Sequence, residues 1–431
     1  MNTTAAALYP AGARSQSRKA VVAGTIGHIL EWYDFAVYGY VALHIAAHFF
    51  PSHDETASLL ASFAAFGIGF LARPLGGLVF GRLGDKKGRR AVLLATLLLM
   101  AASTCLIGLV PTYASIGIAA PLLLALARLA QGFSAGGETT AAAAFIVEWA
   151  PAGRRGLYGS FQQVGSATGL LLGTLVVAVL TSLLPKEAMS EWGWRIPFLI
   201  GAILAPVGFI IRRSVDETPV FEKVQHTAAA PRAGSAKSLK PVLQAFCFTL
   251  FWSVGFYFFL SYMPTFAQRQ LKLDGSTVFW ISTAASLAYI ACIPVFGAAS
   301  DRFGRRPVLL GSCAGFTLVS IPLFSMLAAT PTAAGYLVAV LIAAIMLAMY
   351  TGPAAATLSE LFPARNRSTG MAVGYSLSTL VFGGFTPFIA TWLIAHFGTP
   401  LAPIYYVVAC AIAGGLSILW IPETARLSID H

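Results

Sequence analysis

Apolar runs long enough to cross a bilayer recur along this chain, and they constrain its fold more than any other feature. A spanning helix needs roughly 20 apolar residues. Runs of that size fall near residues 20–46, 56–80, 91–110, 116–148, 156–184 and 194–213, and again near 241–264, 276–298, 307–328, 334–361, 368–396 and 401–422. Because a bilayer core leaves no backbone group to water, such runs must be helical. The pattern therefore predicts an all-α polytopic membrane protein with twelve transmembrane helices. Composition agrees: 57% of the 431 residues are hydrophobic and 10% are charged, against about 25% charged in an average soluble domain. Mean hydropathy is +0.75. A soluble enzyme, a nucleic-acid-binding module and a disordered chain are excluded.

The first run, from about Ala20 to Ala46, follows Arg14, Arg18 and Lys19 as a signal peptide would. It is too long for a signal h-region and carries Glu31 and Asp34, so it reads as a first spanning helix. With the N-terminus placed in the cytoplasm, the inner segments collect most of the basic residues, among them Arg82, Lys86, Lys87, Arg154, Arg155, Arg212, Arg213, Arg302 and Arg365. The outer loops hold only Lys186, Arg195, Arg269 and Lys272. This bias places both ends in the cytoplasm. It also accounts for the net charge of +11 without a nucleic-acid partner. The five cysteines (Cys105, Cys247, Cys292, Cys313 and Cys410) lie inside apolar runs with no metal-ligand spacing and read as packing residues.

The longest polar stretch, 214–240, contains HTAAAPRAGSAKS, a linker composition. It divides the chain into a tail over 1–19, a bundle over 20–213, the linker, a second bundle over 241–422 and a tail over 423–431. The halves echo one another. GRLGDKKGRR after helix 2 matches GAASDRFGRR after helix 8, so that Gly81, Asp85, Gly88, Arg89 and Arg90 correspond to Gly297, Asp301, Gly304, Arg305 and Arg306. Glu148, Pro151 and Arg155 correspond likewise to Glu360, Pro363 and Arg367.

The doubled G-x-x-x-D-x-x-G-R-R motif resembles the signature of the major facilitator superfamily. The resemblance implies two pseudo-symmetric six-helix bundles around a central cavity, working by alternating access. EWYDFAVYG (31–39), LARPLGG (71–77), RLAQGFSAGGE (128–138) and EWGWRIPF (191–198) resemble a narrower group, the metabolite:proton symporters. That group includes carriers of citrate, α-ketoglutarate, shikimate and proline/betaine, and it implies entry of solute with protons. Helix 5 lacks the G-P-x-x-G-G stretch of many drug:proton antiporters. It has Gly165, Gly169 and Gly173 instead, a face for close helix packing.

Ionisable groups within a bilayer are expensive and need a partner or a role. Five are visible, Glu31, Asp34, Arg73, Arg128 and Glu138, all in the N-terminal half. Glu31 and Asp34, three apart, are expected to share a face with His28. From depth along the helices, Arg128 is expected to pair with Asp34 or Glu31 and Arg73 with Glu138. Asp34, Glu31 and Glu138 are the candidate proton carriers, because a carboxylate in a low-dielectric cavity can load a proton. Arg128 and Arg73 are the candidate anion-binding groups, and a fixed ion pair is the alternative reading of all five. His28 reads as a proton relay or as a buried, hydrogen-bonded residue. Thr139, Thr140, Gln162, Gln163, Tyr257, Tyr262 and Tyr350 are candidate solute contacts. Gly81, Asp85, Gly88, Arg89, Arg90, Asp301, Gly304, Arg305 and Arg306 read as a conformational latch. GSATG at 165–169 lies in an apolar helix and is no phosphate loop.

The expectation is a secondary-active proton symporter of the inner membrane, not an enzyme, with no cofactor beyond the coupling proton. The expected cargo is a di- or tricarboxylate such as citrate or α-ketoglutarate, because two intramembrane arginines suit an anion. The alternative cargo is a zwitterion such as proline or betaine, and a non-transporting sensor is a further reading. Osmosensing members of the group carry a long C-terminal extension, and the chain ends about nine residues past helix 12, which favours a non-osmosensing carrier. The expected partners are a small solute, protons and the bilayer, and by resemblance the carrier is a monomer.

Overall fold

The computed structural model describes Thr25 and residues 28–427, apart from 88, 137, 149, 152, 214–238 and 363–366, and at some helical positions the backbone alone. The first helix, α1, runs over 28–40 and, after a turn at Val41, through Ala42–Phe49. α2 comprises Glu55–Leu71 and Arg73–Lys87, α3 Arg89–Leu109, α4 Ala119–Ala135 and Thr139–Glu148, α5 Arg155–Leu183 and α6 Ile196–Arg213. In the second half, α7 is Leu239–Phe256 continued through Tyr257–Tyr262 and Met263–Gln270, α8 Gly275–Phe303, α9 Arg305–Ala329 and α10 Ala333–Glu360. α11 is Arg367–Ser378, Thr379–Gly383 and Thr386–Phe397, and α12 is Ala402–Trp420. The twelve helices fall where the apolar runs predict them. Among the described residues, eight helices are long and apolar enough, by length and composition, to cross a membrane. Leu94–Leu109 and Ala119–Ala135 are shorter apolar helices.

Three differences from the sequence reading have local causes. The run over 116–148 is interrupted after Ala135, where Gly136 caps the first piece and glycine lowers helix propensity. α7 and α11 each contain a π-helical stretch, Tyr257–Tyr262 and Thr379–Gly383, a local widening that is frequent at functional sites. The α8–α9 motif, read as a loop, is helical up to Phe303 and again from Arg305. Only Gly304, at φ 98°, leaves the helix, a conformation that glycine adopts without a Cβ penalty. The linker over 214–238 and the tail over 1–19 lie outside the described residues, while Leu239 and Lys240 already belong to α7.

Small residues set the helix crossings. A Cβ on Gly132 of α4 would run into the Gly69 backbone of α2, and one on Gly136 into the Arg73 carbonyl. Gly169 of α5 sits against the α1 backbone, 2.8 Å from the Tyr33 nitrogen to a built Cβ. The expected glycine face of α5 thus packs on α1. Between bundles, Gly297 of α8 faces the Gly156 carbonyl of α5 at 2.7 Å from a built Cβ. Such backbone proximity is how helices associate where lipid removes the hydrophobic drive.

Cross-bundle contacts are present at both faces. At the face of the α8–α9 motif, Asp301 accepts from the backbone nitrogens of Gly156 at 2.8 Å and Leu157 at 2.9 Å. At the opposite face, Arg269 pairs with Glu55 at 2.5 Å, Ser182 meets Ser276 at 2.8 Å, and the Tyr40 hydroxyl donates to the Leu260 carbonyl at 2.9 Å.

Candidate functional site

Between the two bundles lies a narrow cavity. α1 supplies Trp32, α5 supplies Gln162, Gln163 and Ser166, α7 supplies Trp252, Ser253, Phe256 and Tyr257, and α11 supplies Tyr375. Both bundles therefore contribute walls. Trp32 meets Phe256 edge-on at 4.7 Å and Tyr257 at 5.9 Å between ring centroids. Trp252 meets Tyr375 at 5.5 Å. None of the lining residues carries a charge.

Beside this wall sits a buried acid–base cluster. Glu31 is only 2% exposed. Its Oε2 lies 3.3 Å from His28 Nδ1, without the alignment of a hydrogen bond. Its Oε1 lies 3.9 Å from Arg73 Nη2 and accepts from the Thr139 hydroxyl at 3.5 Å. His28 Nε2 accepts from the Trp32 indole N–H at 3.0 Å, with Gln162 Nε2 and the Ser166 hydroxyl at 3.1 and 2.9 Å. An indole nitrogen can only donate, so the imidazole proton is assigned to Nδ1, facing Glu31. His28 is thus both a buried, hydrogen-bonded residue and a neighbour of a candidate proton carrier.

Arg73 stacks on Phe70 and Phe35 at 4.4 and 4.6 Å and stands 5.9 Å from the Trp32 centroid. It also hydrogen-bonds Tyr375, which brings it to the cavity wall. Its ion-pair partner is Glu31 and not Glu138, a correction to the pairing expected from depth. Glu138 Oε2 accepts from Thr96 at 3.4 Å. Depth fixes a residue's height, but which neighbour it faces depends on rotation about the helix axis.

The Arg128 expectation is corrected in the same way. Arg128 Nη1 donates to Gln131 Oε1 at 2.6 Å, and Gln131 Nε2 donates to the Thr104 hydroxyl at 2.7 Å. Thr104 in turn hydrogen-bonds Asp34. Arg128 and Asp34 are therefore joined through two intermediates and make no ion pair with each other. Arg128 also stacks on Tyr38 and Phe66 at 4.5 and 4.8 Å. Asp34 faces Thr104 of α3 and Gly201 of α6, whereas Glu31 faces α2 and α4. Three residues of α-helix advance about 300°, so the two carboxylates stand about 60° apart on one side of α1, yet they reach different neighbours, Glu31 toward Arg73 and Thr139 and Asp34 toward Thr104 and Gly201.

Of the candidate solute contacts, Gln162, Gln163 and Tyr257 line the cavity. Gln163 also donates to Tyr289 of the other bundle at 3.1 Å. Thr139 lies on Glu31. Tyr350 is packed on Phe248 and Phe251 and donates to the Phe248 carbonyl at 2.7 Å, and Tyr262 accepts from Thr391. The side chain of Thr140 lies outside the described residues. Trp32, Trp252, Phe256 and Tyr375 were not singled out in the sequence. In a chain that is 12% aromatic they carry no signal that separates a wall from ordinary packing.

In the C-terminal copy of the latch motif, Arg305 bonds Asp301 at 2.8 Å and Glu360 at 3.1 Å. Arg155 of the other bundle lies 3.9 Å from Glu360 and donates to the Leu427 carbonyl at 2.7 Å. Glu423, past the end of α12, accepts from the backbone nitrogens of Arg305, Arg306 and Ala425 at 2.8, 3.0 and 3.0 Å. Partial burial pushes its carboxyl up, but the three N–H donors and the Arg305 charge outweigh that and hold it below the ordinary value. In the first copy, Gly88 lies outside the described residues, as do the side chains of Asp85, Arg89 and Arg90 and the surroundings of Gly81. Among the described residues no group of His, Cys, Asp and Glu could hold a metal ion.

Two six-helix halves, a cavity between them and charges confined to its flank define a multi-pass membrane transporter, not an enzyme. The comparisons agree: residues 19–242 match the family described as "Sugar (and other) transporter" and residues 245–429 match "Major Facilitator Superfamily", and the chain belongs to the major facilitator superfamily. It is 38% identical over 424 residues to the proline/betaine transporter of Salmonella typhimurium, covering 95% of this chain and 84% of the relative. The glycine betaine/proline/ectoine/pipecolic acid transporter OusA of Dickeya dadantii is 38% identical over 423 residues, with 95% and 84% covered. Among solved structures, the proton:xylose symporter XylE bound to 6-bromo-6-deoxy-D-glucose superposes with a TM-score of 0.80 at 19% identity, covering 95% of this chain and 97% of XylE. The expected organic-acid cargo finds no support in these relatives, which are named for proline and betaine.

Proposed function

We propose that this protein is a proton-coupled importer of a small zwitterionic solute of the proline/betaine class. It would act as a monomer in the inner membrane with both termini in the cytoplasm and no cofactor beyond the proton. The observation that carries the reading is the charge balance beside the cavity. A di- or tricarboxylate needs a surplus of cations at its site. Here Arg73 is matched by Glu31, and Arg128 is tied through Gln131 and Thr104 to Asp34. A zwitterion brings no net charge and fits a balanced site. The names of the relatives support the same class.

In this reading Glu31 carries the proton, since it alone of the three carboxylates sits beside both His28 and the cavity-side arginine. Protonating it weakens its hold on Arg73 and turns that guanidinium toward the solute. The Asp301, Arg305 and Glu360 cluster acts as the latch of the cytoplasmic face, and Gly81–Arg90 is its counterpart in the first half.

The test is uptake of labelled glycine betaine and proline into proteoliposomes. An inward proton gradient should raise uptake, a protonophore should abolish the rise, and excess citrate or α-ketoglutarate should not compete. Citrate uptake without betaine uptake refutes the cargo class. Betaine uptake indifferent to the protonophore refutes the coupling.

A further inference from the structure

We propose that the cavity reads the two ends of its solute with separate devices. The aromatic wall of Trp32, Trp252, Phe256, Tyr257 and Tyr375 receives an N-alkylated ammonium, and Arg73 receives the carboxylate. The inference rests on the zwitterion reading above and adds the orientation of the solute and the groups that select it.

The wall comes first. A quaternary ammonium cannot donate a hydrogen bond, so its available attractions are charge and the faces of aromatic rings. The cavity offers five aromatic side chains drawn from α1, α7 and α11 and no charged side chain. Glu31 does not compete for the ammonium, because it is held behind the wall between His28 and Arg73. The rings meet across the bundle interface, Trp32 against Phe256 and Tyr257. An ammonium seated there touches both bundles at once.

The second device is independent of the first. Arg73 is 2% exposed, and its Nε and Nη2 make no hydrogen bond within the protein. Nearly all buried polar groups in native proteins are hydrogen-bonded, and these two belong to one edge of a guanidinium. Nε and Nη2 donate in parallel, which is the geometry that grips a carboxylate through both oxygens. Stacking on Phe35 and Phe70 presets the plane of that fork. The Tyr257 hydroxyl and Gln162 Oε1 also lack a hydrogen bond within the protein. Both belong to cavity-lining residues, so polar atoms in need of a partner collect around one site.

The experiment is calorimetric titration of the full chain in lipid nanodiscs with three probes. Glycine betaine carries both ends. 3,3-Dimethylbutyrate keeps the shape and the carboxylate but replaces the charged nitrogen with carbon. Choline keeps the trimethylammonium and lacks the carboxylate. We expect each of the last two to bind at least about tenfold more weakly than betaine. Trp252→Leu should bring the betaine-to-dimethylbutyrate ratio below about threefold while leaving the betaine-to-choline ratio, and Arg73→Gln should do the reverse. The wild-type probe series needs no variant to fold. Dimethylbutyrate binding within about threefold of betaine overturns the aromatic device, and choline binding as tightly as betaine overturns the Arg73 device. Absence of any betaine or proline binding removes the zwitterion reading itself and this inference with it, whereas betaine binding without discrimination removes the inference alone.

Discussion

Glu31 and Asp34 lie one helical turn apart and serve different neighbourhoods. Glu31 touches His28, Thr139 and Arg73 beside the cavity. Asp34 closes a relay from Arg128 through Gln131 and Thr104 inside the N-terminal bundle. The two should therefore respond differently to neutralisation. Glu31→Gln mimics the protonated acid permanently, so proton-driven accumulation of solute should disappear while solute counterflow across the same membrane persists. Loss of both activities together would make Glu31 a structural residue. The relay should show itself in stability. Thr104→Val removes the hydroxyl that joins Gln131 to Asp34 and leaves buried polar groups short of a partner, which costs about 1–3 kcal/mol. Thermal unfolding in nanodiscs measures this, and an unchanged midpoint would mean that water replaces the hydroxyl.

Helix crossings depend on where a side chain is absent. Gly132→Ala would place a methyl group in the backbone of Gly69. Overpacking of this kind costs about 1–3 kcal/mol, and α2 and α4 would separate where they carry Arg73 and Arg128. Gly415→Ala in α12 is the matched control, since its added carbon meets only Cys313 at an ordinary 3.5 Å. The expected result is a lowered unfolding temperature and weakened solute binding for the first and near-wild-type behaviour for the second. These elements also mark what a sequence discloses. Apolar run length located all twelve helices, and the doubled G-x-x-x-D-x-x-G-R-R motif located the repeat, because both signals are local along the chain. The π-helical stretches at Tyr257–Tyr262 and Thr379–Gly383 left no trace, since hydropathy does not register a shift in hydrogen-bond partner. The identity of the five charges inside the apolar runs of the first half was legible from their cost in lipid. Their pairing was not, because Arg73 at a given height can face α1 or α4, and packing by glycines such as Gly136 against the Arg73 carbonyl decides which. The aromatic wall exists only when α1, α7 and α11 converge, which no single stretch encodes.

Alternating access requires that one face lose its cross-bundle contacts while the other keeps them, so the relative strength of the two closures sets the resting bias. The closures are unequal in kind. At the face opposite the motif, Glu55 and Arg269 form an ion pair in which Glu55 is largely exposed, and solvent and salt screen such pairs heavily. At the motif face, Asp301 spends both carboxylate oxygens on the first backbone N–H groups of α5. There the helix dipole adds to charge-assisted hydrogen bonds. Arg305, Glu360 and Arg155 extend that cluster across the interface, and Glu423 caps the start of α9 beneath it. The motif face is therefore the stronger closure, and the carrier should rest biased toward opening at the other face. Spin-label distances across each face measure the bias. Asp301→Asn should lengthen the motif-face distance, and Glu55→Gln should leave both distributions near wild type. Equal responses would contradict the asymmetry. Acid supplies a second route to the same closure. Because Glu423 is held below its ordinary value of 4.5, its contribution is fully present above that pH and is lost as the pH falls through the lower value of the folded protein. Acidification below about pH 4.5 should therefore widen the motif-face distance in the wild type. In Glu423→Gln, which has no carboxylate to titrate there, that step should be absent and the distance already longer at neutral pH.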